Sequence, residues 1–375
     1  MKKQIASILG IALLSTSAFA SKARLQALGE DTYGSFFIDD ARNVTLNPAM
    51  LNFHKDFVIM EWGDTSNTLD AAATPKAEGG MFKASGNMVY GLYFGDESNT
   101  GNELRSLAMG ANAVHESNLT SFYVAGDAGV QWGVKFSYHD YSDETGASDV
   151  KSSATRAAFG VVSGDIEAFL NMGLSNTAEK GGNEFEGKGS FQVGVTYGMG
   201  DIDYLLELRS IQVEDANGDE FKAQYTRLGL AKTYKLNDKA TAWASAWYKM
   251  DNQENDMTAV AAFESKKTYL PVSMAVEVMV KDWLALRGSV ASNVIGTEEN
   301  ANGDKKTIAD STVVSAGAGL IFGDLTIDGM IANEGTTTCD ASTTTETCNT
   351  EVAGTEAGTL GFGNMMSRVS MTYKF

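Results

Sequence analysis

From about residue 56 onward, apolar and polar residues alternate in stretches of about ten, the period of a strand with one apolar face. The clearest stretch sets Leu270, Val272, Met274, Val276, Val278 and Val280 on one side, with Ser273, Ala275 and Glu277 between them. Similar faces are Val130/Trp132/Val134/Phe136/Tyr138, Ile166/Ala168/Leu170/Met172/Leu174, Phe191/Val193/Val195/Tyr197/Met199 and Leu325/Ile327/Gly329/Ile331. Turn signals recur about every forty residues, a length that holds two strands, a tight turn and a longer loop. They are Gly86-Asn87, Gly126-Asp127, Gly164-Asp165, Gly200-Asp201 and Gly323-Asp324, with Asn237-Asp238 and Lys281-Asp282 where two more are due. Glycine at the first central position suits a type II′ hairpin turn, which needs a positive φ there.

The pattern is one hairpin repeated, with short turns at one end and long loops at the other. It predicts an all-β chain folded as an antiparallel transmembrane β-barrel. Seven tight turns join fourteen strands, one strand near Asp56 to Gly63 precedes the first long loop, and the last runs to Phe375. That makes sixteen strands, or fourteen if the first two belong to the N-terminal segment. An even count puts both termini on the tight-turn side, which is periplasmic in bacterial barrels. Residues 240–250 leave the lipid face open, because Trp243 and Trp247 alternate with Ala242, Ala244, Ala246 and Tyr248. Lys232 also falls on an otherwise apolar face.

The first twenty residues read as an export signal: Lys2 and Lys3, an apolar run from Ile5 to Leu14, and Ala18-Phe19-Ala20 as an A-x-A cleavage site. The expected organisation is a signal over 1–20, a periplasmic or lumen-inserted segment over 21–55, and a barrel over 56–375. The last strand places Val369, Met371, Tyr373 and Phe375 on one face, with Phe375 terminal. It resembles the C-terminal signal that the barrel-assembly machinery recognises in outer-membrane proteins. The resemblance implies that machinery as a partner and an integral place in the Gram-negative cell outer membrane, in contact with lipid and lipopolysaccharide.

The chain holds only 3 Pro against 39 Gly, as many uninterrupted strands require. Its formal charge is −19, and the acids crowd into expected loops such as Asp140 to Glu144, Glu214 to Glu220 and Glu298 to Asp304. A nucleic-acid partner does not fit that charge. A solvated rim does, as does a mouth that attracts cations.

Charges of both signs fall on the faces turned from lipid. Arg156, Arg209, Arg227, Arg287, Arg368 and Lys135 are the candidate basic pore-lining residues, and Glu61, Glu167, Glu207, Glu277 and Asp328 the acidic ones. Rows of opposite charge across a lumen resemble general porins; ion pairs bracing the barrel interior are the other reading. Leu104, Leu107 and Ala108, within a loop that also holds Met109 and Val114, fit one helical face, so that loop is expected to fold onto the barrel interior.

The segment from Ser21 to Asp56 is too long for a simple tail. Ala23 to Leu28 suit a short helix, Tyr33 to Ile38 a strand, and Asn47-Pro48-Ala49 a helix start with Asn47 as cap. The stretch from Asp39 to Leu51 resembles the N-terminal NPA box of the long-chain fatty-acid transporter family of the outer membrane. In that family the box belongs to a plug within a fourteen-stranded barrel that carries hydrophobic molecules, which implies a lumen-bound N-terminus here.

Cys339 and Cys348 share the final loop, and export to an oxidising compartment predicts a disulfide between them. Asp215-Ala216-Asn217-Gly218-Asp219 has part of a calcium-loop pattern but reads as a hairpin turn; no metal site and no cofactor is expected. His54, His115 and His139 are the only histidines, and His139 beside Asp140 is too little to predict an enzyme. The expected function is a porin passing small hydrophilic solutes through a water-filled lumen, with ion transport as a consequence; the sequence does not establish a homotrimer, although many sixteen-stranded porins are trimers. The alternatives are a hydrophobic-compound transporter and a structural or adhesive barrel without an open pore.

Overall fold

A computed structural model describes residues 21–62, 77–96, 119–143, 150–180, 183–257, 262–308, 312–335 and 368–375. The chain forms one closed antiparallel barrel of sixteen strands. They are β1 (Phe57–Trp62), β2 (Ala77–Ser85), β3 (Met88–Asp96), β4 (Leu119–Asp127), β5 (Gln131–Asp143), β6 (Val150–Ser163) and β7 (Ile166–Lys180). After them come β8 (Asn183–Gly187 and Phe191–Met199), β9 (Ile202–Asp215), β10 (Glu220–Asn237), β11 (Ala240–Asn255) and β12 (Phe263–Lys281). The last four are β13 (Leu284–Asn300), β14 (Lys305–Thr307 and Thr312–Phe322), β15 (Leu325–Gly335) and β16 (Arg368–Lys374). β8 and β14 are each interrupted once; both pieces of β8 pair with β7 and β9, while the short piece of β14 pairs with β13 and the long piece with β13 and β15. β1 pairs with β16 from Phe57↔Lys374 to Trp62↔Val369, and with β2 on its other edge. Among the described residues each of the sixteen strands thus has a hydrogen-bonded neighbour on both sides, as a wall in hydrocarbon demands.

The alternation read from the sequence sorts the faces as expected. Met274, Phe136, Leu174 and Tyr197 are exposed outward, while Ala275, Ser137 and Thr196 beside them are buried inward. The open question at β11 is settled by Trp243, which is buried, and Trp247, whose ring meets Phe36 inside the barrel at 5.6 Å. The alanines and Tyr248 therefore face outward. Val369 and Met371 alternate with buried Arg368, Ser370 and Thr372, so the terminal apolar face also looks outward.

Glycine governs the turns where it stands first. Gly164 and Gly323 have φ of 61° and 63°, while the aspartates after them stay at negative φ, as type II′ requires. Three turns lie off their expected positions. Gly126 and Asp127 still pair with Trp132 and Gln131, so that turn is Ala128 to Val130. Asn237 pairs with Ala240 and Lys281 with Leu284, which centres those turns on Asp238-Lys239 and Asp282-Trp283. Neither has a glycine to supply positive φ, and in each the pairing slips by one residue beside the turn. A type I turn splays strands, and a bulge restores their twist. At the other end Asp215-Ala216-Asn217-Gly218-Asp219 is a hairpin tip: Asp215 Oδ1 accepts from the backbone N–H of Asn217 and Asp219.

Candidate functional site

The candidate site is the barrel lumen, and the N-terminal segment lies inside it. Helix α1 (Lys22–Ala27) is followed by an irregular stretch, helix α2 (Asn43–Leu46) and a 3-10 helix over Pro48–Asn52. The strand expected at Tyr33 to Ile38 is absent: these residues bend, and Ser35 Oγ accepts from the N–H of Phe37 and Ile38. Hydroxyl–backbone bonds of this kind compete with strand pairing.

A helix of six residues has no stability of its own, so α1 is held by the wall. Leu25, Leu28 and Ile38 pack against Trp243 and Ala275, while Val44, Met50 and Leu51 join Phe57, Phe82, Tyr93, Tyr123 and Val162. Each such side chain contributes about 1.5–3 kcal/mol on full burial. The apolar contacts therefore supply most of the holding energy, and the buried ion pairs, whose desolvation offsets much of their attraction, fix position.

Those ion pairs are built on two arginines. Arg24 grips Glu277 with two bonds, Nε to Oε2 at 3.0 Å and Nη2 to Oε1 at 3.1 Å, and its Nη1 donates to Asp40 at 2.7 Å. Glu277 also accepts from Arg287 Nε at 2.5 Å, and Arg287 Nη1 reaches Asp328 at 2.5 Å. Arg42 Nη1 donates to Tyr93 Oη at 2.7 Å and to Glu61 Oε2 at 3.2 Å, and Tyr93 donates to the same carboxylate. Lys22 pairs with Glu78, its backbone N–H donates to Glu61 at 2.7 Å, and Lys135 closes on Asp96.

The NPA turn docks on glycines. Gly133 and Gly160 face each other across β5 and β6. A Cβ at Gly133 would strike Pro48 and Ala49, and one at Gly160 would strike the Asn47 side chain. Asn47 caps the 3-10 helix by accepting from Ala49 N–H at 3.1 Å.

Of the eleven charged residues expected on the lumen face, Glu61, Glu277, Arg287 and Asp328 stand in the network that holds the N-terminal segment. Lys135 joins it through Asp96. Glu167 borders a water-sized gap between plug and wall, shared with Asn43, Asn47 and Thr196. Glu207, Arg209 and Arg227 form a separate tier towards the long loops. Glu207 accepts from Gln192 at 2.9 Å and from Arg227 at 3.1 Å, and Arg209 lies over Tyr225 at 4.2 Å. Arg156 and Arg368 are buried on inward positions of β6 and β16. Missing from the sequence reading were the plug's own charges, Lys22, Arg24, Asp40 and Arg42, and Glu78, Tyr93 and Asp96 on the wall. The signal was there: charges set in an otherwise apolar N-terminal segment require partners once buried.

Titration within the plug is shifted. Burial pushes the Asp40 carboxyl up to about 7 against the pull of Arg24, and Glu30 likewise up to about 7 despite its bond from Ser35. Burial alone would lower the His54 imidazole, but the Asp39 carboxylate at 2.9 Å outweighs it and holds the ring above its ordinary range. His139 Nε2 meets Ser152 Oγ at 3.0 Å on the inner wall. His115, the loop around Leu104 to Val114, and Cys339 and Cys348 lie outside the described residues. Among the described residues no group of His, Cys, Asp and Glu is arranged to hold a metal.

No protein-family model matches the chain, and no curated protein matches its sequence. Among solved structures it is similar to OmpT, an outer-membrane protein of Vibrio cholerae, at 12% identity and TM-score 0.39, over 85% of this chain and 97% of that one. An anion-selective porin from Comamonas acidovorans matches at 14% identity and TM-score 0.40, over 68% of this chain and 89% of that one. The outer-membrane channel DcaP of Acinetobacter baumannii matches at 11% identity and TM-score 0.39, over 85% and 95%.

Proposed function

We propose that the protein is an outer-membrane channel for small hydrophilic solutes, with a resident N-terminal plug in its tight-turn half. The observation that carries this reading is the polar wall beyond the plug. There Gln192, Glu207, Arg209, Arg227, Asp251 and Tyr269 face inward as a largely buried polar belt, with Arg227 and Gln192 bonded to Glu207 and Tyr269 to Asp251, which suits a hydrophilic path better than an apolar one. In this reading the tight turns and both termini are periplasmic, the long loops face outward, and the C-terminal face engages the barrel-assembly machinery. Trimers are compatible with the apolar outer wall. Single-channel recording in planar bilayers tests the proposal. The intact chain should show small or rare steps, and a chain lacking residues 21–52 should show large, stable ones. Equal silence from both would end the channel reading.

A second reading has one observation in its favour. Phe185, Ile211, Val213, Phe221, Ala223 and Met257 form an apolar cluster towards the long-loop end, on the same inward strand positions as Arg209 and Arg227. A carrier of hydrophobic compounds would use such a surface, in keeping with the resemblance at Asn47-Pro48-Ala49. Saturable binding of a fatty acid, reduced by Ile211→Asn, together with no conductance from either chain, would favour it.

A further inference from the structure

The plug's Lys22, Arg24 and Arg42, together with Lys135 and Arg287 of the wall, make two groups of buried ion pairs. Lys22, Arg42 and Lys135 stand with Glu61, Glu78 and Asp96, three against three. Arg24 and Arg287 stand with Asp40, Glu277 and Asp328, two against three. The second group is short of one cation, and the carboxylate at its end is Asp328.

Ser21 is fully buried beside that carboxylate. Its Oγ donates to Asp328 Oδ2 at 3.1 Å and accepts from Arg24 N–H at 3.0 Å. Covalent geometry keeps the Ser21 nitrogen within about 4 Å of its own Oγ, and so within about 7 Å of Asp328. The neighbouring Lys22 N–H already bonds Glu61 at 2.7 Å, which places a second carboxylate close by. An opposite charge at this range is a strong partner.

The A-x-A pattern ending at Ala20 directs cleavage to this same residue. A processing protease adds water across the Ala20–Ser21 peptide bond. The C–N bond breaks, the carboxylate leaves with Ala20, and the Ser21 nitrogen takes up a proton. A neutral amide becomes an α-ammonium.

We propose that the Ser21 α-ammonium is the missing cation, docked between Asp328 and Glu61 inside the barrel, so that removal of the leader completes the plug's anchor. The uncleaved chain has only an amide there, and its second group is balanced only by a proton on Asp40, whose carboxyl burial holds up at about 7; the ammonium would replace that proton as the counter-charge. Processing and plug seating are thereby coupled. The inference rests on the plug and not on whether the lumen conducts.

The test starts from protein extracted from outer membranes, whose N-terminus should be Ser21. The unfolded chain is acetylated near pH 7, where an α-amine of ordinary pKa about 7.7–8 reacts while lysines near 10.4 stay protonated. It is then refolded beside untreated chain, and trypsin cleavage after Arg24 and Arg42, both buried in the seated plug, is timed. Acetylated chain should be cut at least about tenfold faster, with the heat-modifiable gel shift of the barrel unchanged. Asp328→Asn gives a second arm with a reversal of sign. In untreated chain it removes the amine's partner and speeds cleavage; in acetylated chain it restores two against two and slows cleavage. Equal rates for acetylated and untreated chain, or the same effect of D328N in both, overturns the proposal and assigns the neutralising charge to a proton on Asp40. A different N-terminus also overturns it. A failed channel reading would appear in conductance and leave these protease rates untouched.

Discussion

The side chain of Asn47 occupies the space that a side chain at Gly160 would need. Gly133, paired across from Gly160, leaves the same room for Pro48. Gly160→Ala should therefore displace the NPA turn while leaving β6 intact, because its backbone pairing with β5 and β7 does not change. Overpacking of this kind costs about 1–3 kcal/mol. Trypsin cleavage after Arg42 in folded protein should quicken, and the heat-modifiable gel shift should persist. Unchanged plug protection would show that the turn relaxes without leaving its notch.

Arg24 and Glu277 give a sharper perturbation. Arg24→Ala leaves Glu277 with Arg287 alone and strips Asp40 of its guanidinium. Breaking a buried pair from one side costs about 3–5 kcal/mol. The plug should be released in most molecules, seen as faster proteolysis and larger conductance. Pairing Arg24→Met with Asp40→Asn should recover part of the protection, since Asp40 then carries no unpaired charge and Glu277 keeps Arg287.

Plug seating should weaken as pH rises from about 5.5 to 8. Glu30 and Asp40, at about 7 when seated, hold protons that a released, solvated plug would give up at ordinary carboxylate values. Their contribution is complete below that ordinary range and is lost as pH climbs through about 7. His54, raised when seated, adds stability that is complete below its ordinary value and is lost above its raised one. All three act in the same direction. Protease protection measured across this range should fall with pH, and His54→Gln should flatten part of the slope. A rise in protection with pH would contradict the assignment.

Cys339 and Cys348 are expected to be joined. Mass mapping without reductant should find the cross-link, and two alkylatable thiols in native protein would reject it. Reduction should leave the barrel folded, because its stability comes from closed strand pairing.

The barrel was legible because its information is local. Alternation of period two sorts Met274 from Ala275 without knowledge of any partner, and a glycine before aspartate, as at Gly164, announces its own turn geometry. The turns at Asp238-Lys239 and Asp282-Trp283 were misplaced because, without glycine, the turn is set by a neighbouring bulge that leaves no local mark. The plug was only half legible. Asn47-Pro48-Ala49 reads as a helix start, but Arg24 meets Glu277 across 253 positions and Ser21 meets Asp328 across 307. No periodicity connects such residues, so the sequence left open whether inward charges such as Glu61 and Glu277 line a pore or pair inside the barrel, and only their contacts with Arg42 and Arg24 show the plug as their partner.

Asp56 ends the plug and begins the wall. It holds a φ of 59°, its carbonyl accepts from Phe375 N–H at 3.0 Å, and its carboxylate accepts from Ala84 N–H at 3.1 Å. The residue is thus riveted to both strands flanking β1, and the plug hangs from that fixed point by only a few residues beyond Asn52. A plug that lets go cannot diffuse away. Its effective concentration at the lumen stays in the range set by a short tether, of order millimolar, so each opening is followed by recapture. The lumen would then flicker, with closed times set by how long the Arg24 and Arg42 contacts hold and open times by how fast the tethered plug is recaptured.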